Sequence, residues 1–145
     1  MRSAHILLVE DNDGDVLLTV EALEDRKIIN KVSVVRNGKD ALDFVFQRGQ
    51  FENEETPDLI LLDVNLPLKN GHEVLQTIKS DEKTRHIPVV MLTTSSAEAD
   101  IKKAYQQHAN CYITKPIEVE DFLTAVMSIE DFWFQLVKLP NKIKK

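Results

Sequence analysis

This 145-residue sequence has one cysteine, only four glycines and no long apolar run. The single thiol, Cys111, cannot close an internal disulfide, so the chain suits a reducing compartment. No stretch approaches the ~18 consecutive apolar residues of a membrane span, and the N-terminal "MRSAHILLVE" turns acidic too soon for a secretory leader. A cytoplasmic protein is expected. Basic charge is also short, with 18 Lys and Arg against 24 Asp and Glu, a net charge of −6. Residues 138–145 hold four lysines and no acid, which leaves 14 basic against 24 acidic groups over residues 1–137. Such a body repels nucleic acid, and no segment interleaves basic with aromatic residues. The Lys-rich end reads as a solvated terminus.

What is present is ordinary in amount and ordered in arrangement. Hydrophobic content of 43% and charged content of 29% fit one globular domain with a single core. Strand-like and helix-like patterns alternate. "AHILLVE" (4–10) precedes Val16, Val20 and Leu23 at helical spacing. "KVSVVR" (31–36) precedes Ala41, Leu42 and Val45, and "DLILLD" (58–63) precedes Val74, Leu75 and Ile78. "PVVMLT" (88–93) precedes Ile101, Ala104 and Tyr105, and "NCYIT" (110–114) precedes a last amphipathic segment from about residue 118. Five strands, each followed by a helix, predict an α/β fold: a doubly wound, five-stranded parallel sheet with five helices. The leading strand order is the flavodoxin-like 2-1-3-4-5, in which ligands sit beyond the carboxyl ends of strands 1 and 3.

That rule places the chemistry on named residues. Strand 1 ends in Glu10 and Asp11, strand 3 in Asp63, strand 4 in Thr93 and Thr94, strand 5 in Thr114 and Lys115. Carboxylates that converge repel one another, and a divalent cation relieves the repulsion. An oxygen-only set suits Mg²⁺ better than zinc, and none of His5, His72, His86 and His108 falls at a strand end. A lysine and a hydroxyl facing such a site indicate phosphoryl chemistry, with Asp63 as nucleophile and the Asn65 backbone carbonyl offered to the metal. Taken singly, each residue has a plainer reading. Asp11 and Asp63 read as helix caps, Lys115 as a surface lysine and Thr93 as a strand end. Their order across successive strand–helix units favours the site.

At these residues the sequence resembles the receiver domain of two-component response regulators. The resemblance rests on "ILLVEDN" with Glu10 and Asp11, "LLDVNLPLKNG" with Asp63, "PVVMLTT" with Thr93, and "YITKP" with Tyr112 and Lys115. It runs from about residue 4 to 128, so residues 1–128 are expected to form the receiver domain. The resemblance implies that Asp63 takes a phosphoryl group from a phosphohistidine of a sensor histidine kinase. It further implies Mg²⁺ held by Asp11, Asp63 and the Asn65 carbonyl, with Glu10 reached through water. Lys115 would bind the acyl phosphate, its bond to Pro116 being cis. Thr93 would move toward the phosphate with Tyr112 turning inward behind it, and water would later remove the group. A protein of this kind catalyses only its own phosphorylation and dephosphorylation. Thr94 departs from the family pattern, where many members carry Ala or another small residue.

Residues 129–145 are expected to be a helical extension and basic tail, with no separate output domain. Phe132, Trp133 and Phe134 are consecutive, so a helix through them is apolar on more than one side. An exposed aromatic face marks an interface, here a homodimer through the last helices and the extension. The alternative is an arm folded back over its own sheet edge. "VEDNDGD", the acidic "FENEETPD" loop and the "FW…LP" ending together resemble the single-domain regulators of bacterial phytochrome kinases. Three rivals remain. An aspartate-nucleophile phosphohydrolase wants a second Asp where Asn65 stands. A flavodoxin-like cofactor binder wants a Gly- or Ser-rich phosphate loop where "EDNDGD" stands. A receiver-shaped scaffold would have no need of Asp11, Asp63, Thr93 and Lys115.

Overall fold

The computed structural model describes residues 4–24, 29–93 and 111–114. Five strands, β1 (Ala4–Val9), β2 (Ile29–Val35), β3 (Leu59–Asp63), β4 (Val89–Thr93) and β5 (Cys111–Thr114), form one sheet. Their order is β2-β1-β3-β4-β5, and every pairing is parallel. This is the expected flavodoxin-like arrangement. β2 begins two residues earlier than the β-branched run predicts, because Ile29 pairs with Ala4 across a register shift between Ala4 and His5. Arg36, assigned to the strand by its pattern, lies beyond it and pairs instead with Asp13.

The two central strands are apolar on both faces. Ile6 to Val9 and Leu59 to Leu62 are all fully buried, as strands are when helices cover both sides of a parallel sheet. Burial of each such Leu or Ile contributes roughly 1.5–3 kcal/mol. Alternate residues divide between the faces. Leu7, Val9, Ile60, Leu62 and Met91 share one cluster with Leu42, Phe44, Val74, Leu75 and Ile78. Asp63, one residue out of phase with Leu62, therefore points to the opposite face.

Three helices follow the first three strands: α1 (Asp13–Glu24), α2 (Gly38–Val45) and α3 (Gly71–Ser80). Each starts behind an asparagine. The side-chain oxygens of Asn12, Asn37 and Asn70 accept the N–H groups of Asp15, Asp40 and Glu73 at 2.9, 2.7 and 3.0 Å. At Asn70 the Glu73 side chain reaches back to the cap N–H at 3.0 Å, completing a capping box. The apolar spacing read from sequence is the buried one in α2 and α3, while in α1 Val16 and Val20 are only half-buried. Leu23, Ala41, Leu42, Val45, Val74, Leu75 and Ile78 all face inward, while Leu17 and Leu18 of α1 point to solvent. A 3₁₀ turn at Gly49–Phe51, unmarked in the sequence pattern, lets Phe51 pack on Phe44 with ring centroids 5.4 Å apart. The helices expected after β4 and β5, and the extension at 129–145, lie outside the described residues. Among the described residues no helix is long and apolar enough to cross a membrane.

Candidate functional site

Register brings the acids together. Val9 pairs with Leu62, so the next residue on each strand, Glu10 and Asp63, arrives at the same level of the sheet. The Glu10 N–H donates to the Val35 carbonyl at 3.0 Å, and the Val64 N–H to the Leu92 carbonyl at 3.0 Å. Both acids are thus carried on backbone that is still part of the sheet. Glu10 and Asp63 are buried, at 1% and 4% exposure, whereas Asp11 is exposed. One carboxylate oxygen from each of the three lies within 4.8 Å of the others.

The plainer readings of two acids fail against this geometry. Capping of α1 falls to Asn12, and capping of α3 falls to Asn70. Neither Asp11 nor Asp63 holds a helix start, so convergence of the carboxylates serves something else. Two backbone donors further orient the cluster. The Asn12 N–H reaches Glu10 Oε2 at 3.2 Å, and the Asn65 N–H reaches Asp63 Oδ1 at 3.2 Å.

The donor set fits a hard divalent cation. It is all oxygen and of one charge sign, and around a Mg²⁺ with ligands at 2.0–2.1 Å no two ligand atoms are more than about 4.2 Å apart. A cluster spanning 4.8 Å meets that with small side-chain adjustments. No other group of this kind occurs among the described residues. The floor beneath is the fully apolar run of β1 and β3. In such surroundings charges act on each other more strongly than in water.

The remaining expected site residues are placed in part. Thr93 pairs with Thr114, and its neighbour Leu92 pairs with Asp63, so the Thr93 backbone stands on the same rim as the acids. Tyr112 lies within β5 opposite Met91. The side chains of Thr93 and Tyr112, and Lys115, Phe132, Trp133 and Phe134 altogether, lie outside the described residues. Asn65 is exposed on the loop after β3.

Two glycines have a packing role that the sequence pattern did not assign them. Gly38 and Gly71 each open a helix directly behind a capping asparagine, and each packs backbone against backbone where a side chain has no room. The repeated Asn-Gly pair, Asn37-Gly38 and Asn70-Gly71, was the available signal.

A flavodoxin-like sheet with a cluster of three carboxylates at its β1/β3 switch point defines the class of domain. Within that class, the response regulator receiver domain family matches residues 6–127, and the chain belongs to it. It is 45% identical over 135 residues to the response regulator Rcp1 of Synechocystis sp. (strain ATCC 27184 / PCC 6803 / Kazusa), covering 93% of this chain and 92% of that protein. The solved structure of the phosphorylated cyanobacterial phytochrome response regulator RcpA superposes with a TM-score of 0.78 at 46% identity, covering 92% of this chain and 95% of that one. The Mn²⁺-bound form of Rcp1 gives 0.76 at 44% identity, covering 92% and 96%. The bacteriophytochrome response regulator RtBRR gives 0.81 at 45% identity, covering 89% and 79%. The chain is thus a receiver domain related to the phytochrome response regulators.

Proposed function

We propose that Asp63 is the phosphoacceptor of a two-component pathway, charged by a phosphohistidine on a sensor histidine kinase of the phytochrome type. The convergence of Glu10, Asp11 and Asp63 within 4.8 Å carries the reading. In the transfer an Asp63 oxygen bonds to phosphorus, the phosphorus–nitrogen bond of the donor breaks, and the imidazole leaves with its electron pair. The chain's own contribution is placement. The sheet fixes the Asp63 backbone, and the Asn65 N–H orients one carboxylate oxygen toward its partners.

Glu10, Asp11, Asp63 and the Asn65 carbonyl would hold the cation, Mg²⁺ in the cell. When bound, it offsets the charge gathered by three acids and an incoming phosphoryl group. The known Mn²⁺-bound form of the relative Rcp1 supports a divalent site. Lys115 would pair with the phosphoryl oxygens, and Thr93 would hydrogen-bond one of them with Tyr112 following inward. Phosphorylation would then shift the balance between two arrangements. On this reading residues 1–128 are the receiver domain, residues 129–145 with Phe132, Trp133 and Phe134 make a homodimer contact, and the protein acts in the cytoplasm without turning over a separate substrate.

The test is intact mass after incubation with acetyl phosphate and Mg²⁺, beside Asp63→Asn. One added phosphoryl group on the wild type alone supports the assignment. Labelling that persists in Asp63→Asn moves the acceptor elsewhere. An unlabelled wild type that also fails to bind beryllofluoride is a scaffold.

A further inference from the structure

The loop from Val64 to Asn70 carries Asn65 beside the acids, and its backbone is held in a costly shape. The Lys69 N–H donates to the Pro67 carbonyl at 2.8 Å, closing a three-residue turn around Leu68. Leu68 has φ of 71°, so this is the γ-turn of positive φ, which is rare and strained. Its side chain is 74% exposed and packs too little to hold the turn. Something else must.

The start of α2 supplies the hold. Gly38 is the first helical residue after the cap Asn37, and the first N–H groups of a helix have no partner within it. That of Gly38 donates to the same Pro67 carbonyl at 3.2 Å. The contact is backbone on backbone: a Cβ on Gly38 would lie 2.0 Å from the Lys69 carbonyl oxygen and 2.6 Å from Lys69 Cβ. At the other end the Gly71 N–H donates to the Val64 carbonyl at 2.8 Å. Asn65 sits between these anchors, with its own N–H on Asp63 Oδ1.

We infer that Gly38, 25 residues before the phosphoacceptor in sequence, is a positioning residue for the acid site: through Pro67 and Lys69 it sets where the loop, and so Asn65, stands against Asp63. The inference rests on the proposed cation-dependent role of Asp63. Any side chain at position 38 drives the loop off its place, since the atoms it meets are the Lys69 carbonyl and the Lys69 Cβ fixed to the same backbone, which cannot swing aside.

The experiment measures Mn²⁺ affinity and melting temperature on the full chain for wild type, Gly38→Ala, Phe44→Leu and Leu68→Gly. Phe44→Leu weakens α2 packing at the other end of the helix, where Phe44 meets the rings of His5 and Phe51. Leu68→Gly accepts positive φ without strain and leaves the Gly38 contact in place. The expected result is a loss of affinity of about ten-fold, the scale for residues that orient a ligand, in Gly38→Ala alone. Phe44→Leu keeps wild-type affinity at a lowered melting temperature, and Leu68→Gly keeps it at a melting temperature held or raised. If Gly38→Ala does not fold, hydrogen exchange of the Gly38 amide in the wild type decides, since a loop tied to the helix start slows that exchange on saturation with Mn²⁺. Wild-type affinity in a folded Gly38→Ala, or exchange at Gly38 indifferent to Mn²⁺, makes the contact merely structural and overturns the inference. A wild type that binds no Mn²⁺ removes the proposed function first and the inference with it.

Discussion

The carbonyl oxygen of Asp63 lies 2.2 Å from the point where a Cβ on Gly71 would stand, and the Val64 Cα lies 2.8 Å from it. The first turn of α3 is therefore seated directly on the backbone that presents the Asp63 carboxylate. Gly71→Ala is expected to cost about 2 kcal/mol or more, since neither backbone can yield without moving the other. Thermal denaturation checks this, a melting temperature lowered by several degrees being the outcome. Asp63→Asn, which keeps the same volume, holds its melting temperature near or above wild type. A Gly71→Ala protein as stable as wild type contradicts the close approach.

Asp11 and Asn12 are neighbours with separable tasks. Asp11 is exposed and caps nothing, and it is one of three converging like charges, so Asp11→Ala holds or raises stability in metal-free buffer. It should, however, erase the rise in melting temperature that saturating Mn²⁺ gives the wild type, a rise set by ligand bound to the folded state alone. Asn12→Ala should do the reverse. Loss of the cap on α1 costs about 1 kcal/mol, and the Mn²⁺-induced rise survives because Asn12 touches Glu10 through its backbone N–H. Equal responses in the two variants would contradict this division.

These residues also show why some of the molecule was legible and some was not. Strands β1 and β3 announce themselves because an unbroken apolar run admits only burial on both faces, and an acid closing such a run stands out. The partition between Asp11 and Asn12 did not, since either side chain caps a helix. It was decided by where the helix begins, at Asp13. The faces of α2 and α3 followed from spacing alone. The Gly38 contact with Lys69 spans 31 residues of sequence and depends on how α2 lies over the sheet, which no local pattern encodes. Lys115 and the aromatic run at 132–134, plain in the sequence, lie outside the described residues.

At the far end of β1, His5 gives the fold a pH dependence. Its ring is buried edge-on to Phe44, centroids 5.8 Å apart, with Nε2 2.9 Å from the Ser33 hydroxyl. Burial lowers its pKa below the ordinary 6.5, Lys31 lowers it further, and Asp58, Glu55 and Glu54 oppose. The folded state thus binds this proton less readily than the unfolded chain. The stability it protects is complete above about pH 6.5 and is lost as pH falls through the lowered value. Denaturant midpoints at pH 7.5 and 5.5 should show wild type losing more than His5→Gln. Equal losses would mean that the ring protonates in place without consequence.

Lys79 is the complementary case, a cation that the fold holds reluctantly. Its ammonium donates to the carbonyls of Arg85 and Ile87 at 3.0 and 2.6 Å, tying the end of α3 to the turn that leads into β4. Desolvation nonetheless lowers its pKa from 10.5 to about 8. Below about pH 8 it is charged in both states, and the fold carries the full cost of partly burying that charge. Between pH 8 and 10.5 the unfolded chain binds the extra proton, so stability from this group rises with pH. Comparing wild type with Lys79→Met cancels the other titrating groups. From pH 7 to pH 9.5 wild type should gain on the variant by on the order of 1 kcal/mol, solvent screening included. A difference that stays flat across that range would show that the two carbonyls hold the charge as well as water does.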